Sequence, residues 1–169
     1  MTDTPCAHHP LLPGHELTLH VDSLASDGRG LARSNGLVVF MERALPGQRV
    51  RARILALRKR LVEATVEEIL TPSPDEQPAL CPHAAACGGC LWQTLPYEHQ
   101  LFWKQRIVED ALGRLGHIAN PPVLPILPSP ERWGYRNKMA FAFGTREDGS
   151  LALGQRGRRS PTVIDLYEC

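Results

Sequence analysis

The sequence predicts a mainly β protein with one long helix, in which a small OB-like β-barrel precedes an α+β unit with an incomplete sheet. Three observations support this fold class. Short apolar runs separated by turn dipeptides occupy residues 14–71, and a helical spacing of apolar residues begins at Tyr97. Short alternating runs then return from Tyr135 and continue to the end of the chain.

The barrel prediction depends on strands and turns that alternate closely. ELTLHVD and RVRARILAL alternate apolar and polar residues, as half-buried strands do, while GLVVFM is a compact β-branched run. Asp27-Gly28, Asn35-Gly36 and Pro46-Gly47 are turn signals, and EATVEEIL completes the set. We expect about five strands to close into a barrel, because closure removes exposed strand edges.

The remaining elements follow in order along the chain. Residues 1–13 show no periodicity and predict a flexible tail, in which Cys6 is a free thiol. Residues 72–79 contain three prolines and two acids, and predict a linker. From Tyr97 to Leu115 the spacing predicts a helix whose apolar stripe packs against other elements. The stripe comprises Leu101, Val108, Leu112 and Leu115.

The C-terminal region, within the predicted unit of residues 80–169, reads as a connector followed by strands. NPPVLPILPSPERWG is too rich in proline to be regular. YRNKMAFAFG and SLALGQRG predict two strands joined by the turn REDG, and PTVIDLYEC predicts a third. In this arrangement Arg136 and Lys138 share one face of the first strand.

Charge is distributed unevenly, although the formal net charge is only +1. Between residues 29 and 60, nine basic residues accompany one acid, Glu42. A second basic region extends from Arg132 to Arg159. Such regions attract a polyanion, with nucleic acid the foremost candidate, although a solvated charged face is the alternative. Arg49, Arg51 and Arg53 alternate along one strand and place three guanidiniums on one outer face.

The expected location is the cytoplasm. No apolar run approaches the roughly 20 residues of a membrane-spanning helix, and the N-terminus lacks the pattern of a secretory signal. In the cytosol, cysteines more often bind metal or act in redox than form disulfides. The count of five cysteines is odd, so complete pairing would leave one over.

Three cysteines form the most specific motif, CPHAAACGGC, which contains Cys81, Cys87 and Cys90. Thiolates suit zinc or iron–sulfur clusters. A structural zinc site commonly pairs two short Cys knuckles, whereas only one is present here, and His83 lies too near Cys81 to complete a site easily. Iron–sulfur clusters accept several cysteines in one loop and a distant one. Gly88 and Gly89 would let the backbone wrap a bulky group. Spacing favours a cluster but leaves zinc open.

The combined motifs resemble the RNA (uracil-C5) methyltransferases, specifically the ribosomal RNA 5-methyluridine type with an N-terminal TRAM domain. SDGRGLARSNGLVVFMERALPGQRVRARI is similar to the TRAM barrel, and PSPDEQPALCPHAAACGGCLWQTLPYEHQLFWKQ to the linker, cluster loop and following helix. ERWGYRNKMAFAF and VIDLYEC resemble the segments that complete the cluster domain. The resemblance extends from about His15 to Cys169. It implies that Cys81, Cys87, Cys90 and Cys169 ligate a 4Fe–4S cluster.

The resemblance also implies an enzyme that transfers methyl groups from S-adenosylmethionine to large-subunit ribosomal RNA. The family's catalytic domain has no counterpart in this sequence, so no S-adenosylmethionine site and no activity are expected of this chain alone. A stand-alone TRAM-type RNA-binding protein is the alternative. A zinc-stabilised structural domain without an RNA partner is a third possibility. The residues predicted to contact RNA are Arg29, Arg33, Arg49, Arg51, Arg53, Lys59, Arg136, Lys138 and Arg156.

Overall fold

The computed structural model describes residues 11–59, 61–158 and 160–166. The chain divides into two units, with the boundary between Glu76 and Gln77. Cys6 and Cys169, on which two predictions depend, lie outside the described residues, as do Arg60 and Arg159. Within the described residues, no helix is long and apolar enough to cross a membrane.

Six strands build the sheet of the first unit. They are β1 Glu16–His20, β2 Ser23–Leu24, β3 Gly30–Ser34, β4 Leu37–Met41, β5 Arg49–Arg58 and β6 Leu61–Thr71. Their order is β1-β5-β6-β4-β3-β2, and every neighbouring pair is antiparallel except β4 and β6. β1 and β2 occupy the two edges of this order but are consecutive in the chain, so one segment closes the sheet into the predicted barrel.

The junction between β1 and β2 carries the closing hydrogen bonds. Val21 N–H donates to the carbonyl of Gln48 at 2.9 Å, and Asp22 N–H donates to the carbonyl of Leu31 at 2.8 Å. The alternation predicted for β5 is present, because Val50, Ala52 and Ile54 are buried in the barrel core. The two-residue turn between β3 and β4 is formed by Asn35 and Gly36, which both have positive φ as such a hairpin requires.

A buried amide connects the barrel to the segment predicted as a linker. The Gln48 side chain is 1% exposed; its Oε1 accepts from Leu45 N–H at 2.9 Å and its Nε2 donates to Glu76 at 2.9 Å. Ser73 is also buried and donates to the carbonyl of Pro46 at 2.6 Å. Residues 73–76 are therefore held against the barrel, whereas Gln77 N–H donates to the carbonyl of Thr94 in the second unit.

The predicted helix is confirmed in the second unit. Helix α1 comprises Tyr97–Asp110 and continues as a π-helical turn at Ala111–Leu115, which ends at Gly116. The expectation that its apolar stripe packs is wrong for Val108 and Leu115, which are 48% and 81% exposed. The proline-rich connector follows without regular structure. It lies along the helix, where Ser129 N–H donates to the Tyr97 hydroxyl at 2.7 Å.

Three antiparallel strands complete the second unit: β7 Ala142–Thr145, β8 Leu151–Arg156 and β9 Val163–Asp165. The predicted first strand is too long, because β7 begins seven residues after Tyr135. The prediction that Arg136 and Lys138 share a strand face is therefore wrong. Their segment is held instead by side-chain contacts, among them Gln155 Nε2 donating to the carbonyl of Ala140 at 2.9 Å.

A carboxylate secures this small sheet. Arg146 lies 2.5 Å from Asp165, and Asp165 also accepts a hydrogen bond from Leu153 N–H at 3.0 Å. These contacts lower the pKa of Asp165 below its ordinary value of 3.8. The hydrogen bond from Leu153 N–H is the largest cause, and the hydrogen bond from the Arg146 guanidinium is a further cause. The predicted turn before β8 is confirmed by Gly149, whose φ is +83°.

We predict that Gln48→Met lowers the free energy of unfolding of the first unit by about 1–3 kcal/mol, because the buried Leu45 N–H loses its acceptor. Urea denaturation of the 169-residue chain, followed by circular dichroism, measures this change. Arg53→Met is the control, because its ion pair with Glu67 is solvent-exposed and should contribute less. Equal losses in the two variants would contradict the role assigned to Gln48.

We predict that the second unit loses stability in acid partly through Asp165. Its pKa is lower in the folded state, so its contribution is complete above pH 3.8 and is lost as pH falls through the folded value. Asp165→Asn should flatten the dependence of the thermal unfolding midpoint on pH in this range. Glu147→Gln, in the turn before β8, is the control and should keep the native slope; an unchanged slope in Asp165→Asn would disprove the linkage.

Candidate cysteine site and nucleic-acid interface

The cysteine loop, residues 81–90, lies against the end of β8. Cys87 forms an isolated antiparallel bridge with Gly157, and Gly88 N–H donates to the carbonyl of Arg156 at 3.1 Å. A Cβ atom on Gly88 would lie 2.9 Å from that carbonyl oxygen, which is too close for any other residue without a backbone shift. Glycine at this position is therefore a requirement of the docked loop.

The first half of the loop is a compact turn. Ala84 N–H donates to the carbonyl of Cys81 at 3.1 Å, and Cys87 N–H donates to that of His83 at 2.8 Å. Gln93 accepts from Cys81 N–H through its side-chain oxygen at 3.1 Å. The loop thereby has its own hydrogen-bonded scaffold, which begins at one predicted ligand and ends at the next.

The second half of the loop directs an amide at sulfur. Gly89 N–H donates to Cys87 Sγ at 3.3 Å, a contact typical of amides around sulfur ligands. The carbonyl of Gly89 accepts from Arg136 Nη2 at 3.1 Å. Cys81 and Cys87 are half-buried, while Cys90 is exposed. Both polar groups of Gly89 are thus fixed by side chains.

The donor set suits a soft metal or an iron–sulfur cluster, since all three described cysteines are free thiols. Among residues 11–59, 61–158 and 160–166, no three Cys, His, Asp or Glu side chains are arranged to hold a metal ion. The charge of His83 is the smallest of the causes that lower the pKa of Asp165. The cysteine loop supplies three thiols, the Gly89 amide directed at Cys87 Sγ, and a glycine, Gly88, that permits close approach of the backbone to β8.

The predicted RNA-contact residues divide into two groups in the barrel. Arg51 lies 2.7 Å from Glu68 and 3.1 Å from Glu16, and hydrogen bonds to these carboxylates raise its pKa above the ordinary value. Arg53 lies 2.7 Å from Glu67. The outer face of β5 therefore carries arginines as predicted, but two of the three are neutralised by carboxylates on neighbouring strands.

Arg29 occupies a structural position. Its side chain is 11% exposed, lies 2.8 Å from Asp27 and stacks on Phe40 with 4.2 Å between the guanidinium carbon and the ring centroid. Glu63 is 3.9 Å away. Arg29 therefore covers one face of the Phe40 ring on the outer surface of β4, and its guanidinium is already bound by a carboxylate.

The second group consists of exposed cations that make no ion pair with another described residue. It contains Arg33, Arg49, Arg58 and Lys59. Arg33 and Arg58 belong to one register row across four strands, through the pairs Arg33 with Val38, Val38 with Leu61, and Leu61 with Arg58. Residues in one row share a face, so the backbone positions of Arg33 and Arg58 lie three strand spacings, about 14 Å, apart along the outside of the barrel.

Lys59 extends this surface, because it occupies the turn between β5 and β6 next to Arg58. We call Arg33, Arg58 and Lys59 the hairpin-end surface. Arg49 lies at the opposite end of β5 and is separate from it. Arg33 and Lys59 are among the RNA contacts predicted from the sequence, whereas Arg58 is not. The sequence shows Arg58 within the basic run, but its alignment with Arg33 depends on the register of the strands.

The remaining predicted contacts lie in the second unit. Lys138 is exposed, and Arg156 makes a long hydrogen bond of 3.4 Å to the carbonyl of Pro161. Arg136 contacts the cysteine loop, 47 residues away in sequence. Sequence reasoning also missed the pair of Arg146 and Asp165, for which no local pattern gave a signal.

Comparisons with known proteins agree with these features. Residues 10–66 match the TRAM domain. A protein of Nitratidesulfovibrio vulgaris named an uncharacterized RNA methyltransferase is 47% identical over 156 residues, which is 92% of this chain and 33% of that protein. The 23S rRNA (uracil(1939)-C(5))-methyltransferase RlmD of Bordetella avium is 40% identical over 152 residues, 89% of this chain and 32% of that one.

One solved structure shares the fold. The tRNA (uracil-54, C5)-methyltransferase of Pyrococcus abyssi, in complex with S-adenosyl-L-homocysteine, matches with a TM-score of 0.59 and 23% identity, over 89% of this chain and 32% of that one. The chain thus spans about a third of the length of the relatives named here. At this identity the structural match establishes the fold.

Proposed function

We propose a function from the premise that this chain carries a TRAM domain and is homologous, over most of its length, to RNA methyltransferases. The chain is the RNA-recognition and 4Fe–4S-binding N-terminal portion of a cytoplasmic ribosomal RNA uracil-C5 methyltransferase. The similarity to named RNA methyltransferases over about nine-tenths of the chain carries this proposal. Methyl transfer from S-adenosylmethionine takes place in the full-length enzyme, and the 169-residue chain alone is inactive.

RNA contact is made by the hairpin-end surface. Its three cations are exposed and have no carboxylate within ion-pair distance among the described residues, so phosphates can neutralise them without displacing a protein partner. Arg51 and Arg53 differ, because binding RNA would require breaking their contacts with Glu16, Glu67 and Glu68. Half-buried Val38 and Leu61, between Arg33 and Arg58 in the register row, add an apolar strip beside the charges.

The cysteine loop holds the cluster. Cys81, Cys87 and Cys90 supply three thiolates, and Cys169, outside the described residues, supplies the fourth. This proposal is supported by the free thiols, by the close backbone approach at Gly88 and by the amide of Gly89 directed at Cys87 Sγ. The bound cluster acts chiefly as a structural staple, since ligand bonds between a loop and a distant strand supplement a small core.

The RNA proposal predicts that Arg58→Met weakens binding and makes it less dependent on salt. Each phosphate contact contributes about 0.7–0.9 to the slope of log K against log salt concentration, and removing one contact should reduce the slope by this amount. Fluorescence anisotropy with fragments of 23S ribosomal RNA, from low to moderate salt, measures both quantities.

Arg51→Met is the matched control for this experiment, because it removes an arginine from the same strand whose guanidinium is already bound by two carboxylates. Its salt slope should remain that of the native chain. Equal slopes for the native chain and Arg58→Met would remove the hairpin-end surface from the interface. A native affinity that does not change with salt would disprove phosphate binding altogether.

The cluster proposal predicts about four iron and four sulfide per chain after anaerobic purification, because four thiolates hold one such cluster. Cys87→Ala should abolish this content, whereas Cys6→Ala should retain it, since Cys6 is predicted to be a free thiol in the tail. Iron and sulfide analysis, together with visible absorption, measures the cluster content of the native chain and of both variants. A colourless native chain with one zinc would establish the zinc alternative.

A further inference from the structure

The segment between the connector and β7 contains an arginine whose contacts differ from those of the other basic residues. Arg136 directs its guanidinium at the cysteine loop: Nη2 donates to the carbonyl of Gly89 at 3.1 Å. Nη1 lies 3.9 Å from the position that a Cβ atom on Gly89 would occupy. That same position is 3.4 Å from Cys87 Sγ, so the guanidinium and the sulfur border the same residue.

We propose that Arg136 is a positioning residue for the cysteine site, and this rests on the cysteine ligation proposed above. The amide of Gly89 is fixed by Cys87 Sγ and its carbonyl by Arg136. The carbonyl belongs to the peptide bond between Gly89 and Cys90, and this bond is planar, so holding it sets the direction in which Cys90 leaves the loop. Arg136 thereby orients two thiols toward one bound group.

Gly88 and Gly89 explain why a side chain from outside the loop is needed to orient the thiols. Glycine permits the close approach of Gly88 to β8, but it also leaves the backbone of the loop with more conformational freedom than any other residue would. The hydrogen bond of Gly88 N–H to Arg156 restrains one side of the pair. Arg136 restrains the other side, and its planar fork gives the contact a defined direction that a lysine ammonium lacks.

The position of Arg136 also distinguishes it from its neighbour in sequence. Arg132, four residues earlier, lies 3.2 Å from Glu98 and stacks on Tyr97 at 4.5 Å, so it binds helix α1. Both arginines are exposed and lie in one basic run, but Arg136 contacts the cysteine loop whereas Arg132 contacts helix α1. Arg132→Met is therefore a matched control for Arg136→Met.

We predict that Arg136→Met releases iron to a chelator about tenfold faster than the native chain, because loss of a residue that orients ligands typically weakens metal binding 10–100-fold. The electron paramagnetic resonance spectrum of the reduced cluster should also change shape. Arg136→Lys, which keeps one donor and the charge, should recover part of the retention time. Arg132→Met should match the native chain in rate and spectrum.

Hydrogen–deuterium exchange of the metal-free chain tests the contact independently of the cluster. The Gly89 amide should exchange about fivefold faster in Arg136→Met than in the native chain, because releasing the Gly89 carbonyl frees the residue whose N–H is held against Cys87 Sγ. A native chain without iron or sulfide would disprove the proposed cluster, but this exchange would still decide the role of Arg136. If Arg136→Met misfolds by circular dichroism, Arg136→Lys provides the comparison, with a smaller increase in the exchange rate expected because one donor remains.

Two results would overturn the positioning role. The first is native exchange at Gly89 together with a native rate of iron release in Arg136→Met. The second is a loss of RNA affinity and salt slope in this variant without any change at the cysteine loop, which would make Arg136 a phosphate contact, as the sequence predicts.

Discussion

The backbone contact between the cysteine loop and the end of β8 is the interaction on which the second unit depends. Gly88 makes this contact possible, because a Cβ atom at this position would lie only 2.9 Å from the carbonyl oxygen of Arg156. Buried apolar side chains in the described part of this unit are few, namely Trp92, Leu95 and Ala152. A core of this size contributes little hydrophobic stabilisation, so loop docking, the Asp165 contacts and a bound cluster have correspondingly larger roles.

The first unit is stabilised in a different way. Its core is a closed barrel filled by aliphatic residues, and closure depends on one segment, β1–β2, that pairs at both edges of the sheet. On the outer surface of the barrel, the charged side chains are arranged in two patterns. Carboxylates neutralise Arg51 and Arg53, whereas the hairpin-end surface keeps its cations exposed. Only the second pattern is suited to a polyanion.

Much of the local structure was predictable. Asn35-Gly36 predicted a tight hairpin, alternation predicted β5, and the helical period predicted α1, because each depends on residues adjacent in the chain. The start of β7 was not predictable, since alternation in YRNKMAFAFG cannot show whether a neighbouring strand is available. Packing of the apolar stripe of α1 was not predictable either, because a helical period shows which residues share a face but not whether another element covers Val108 or Leu115.

For the candidate site, the available chemistry follows from the sequence alone, which contains the thiols, the glycines and the basic runs. Tertiary structure decided which of them act together. Arg136 reaches Gly89 across 47 residues, and Arg33 aligns with Arg58 through three strand pairings. It likewise decided that Arg51 is neutralised and Arg29 is covered, because their partners come from other strands or turns. Composition fixes the charges, but only the fold sets the distances on which their interactions depend.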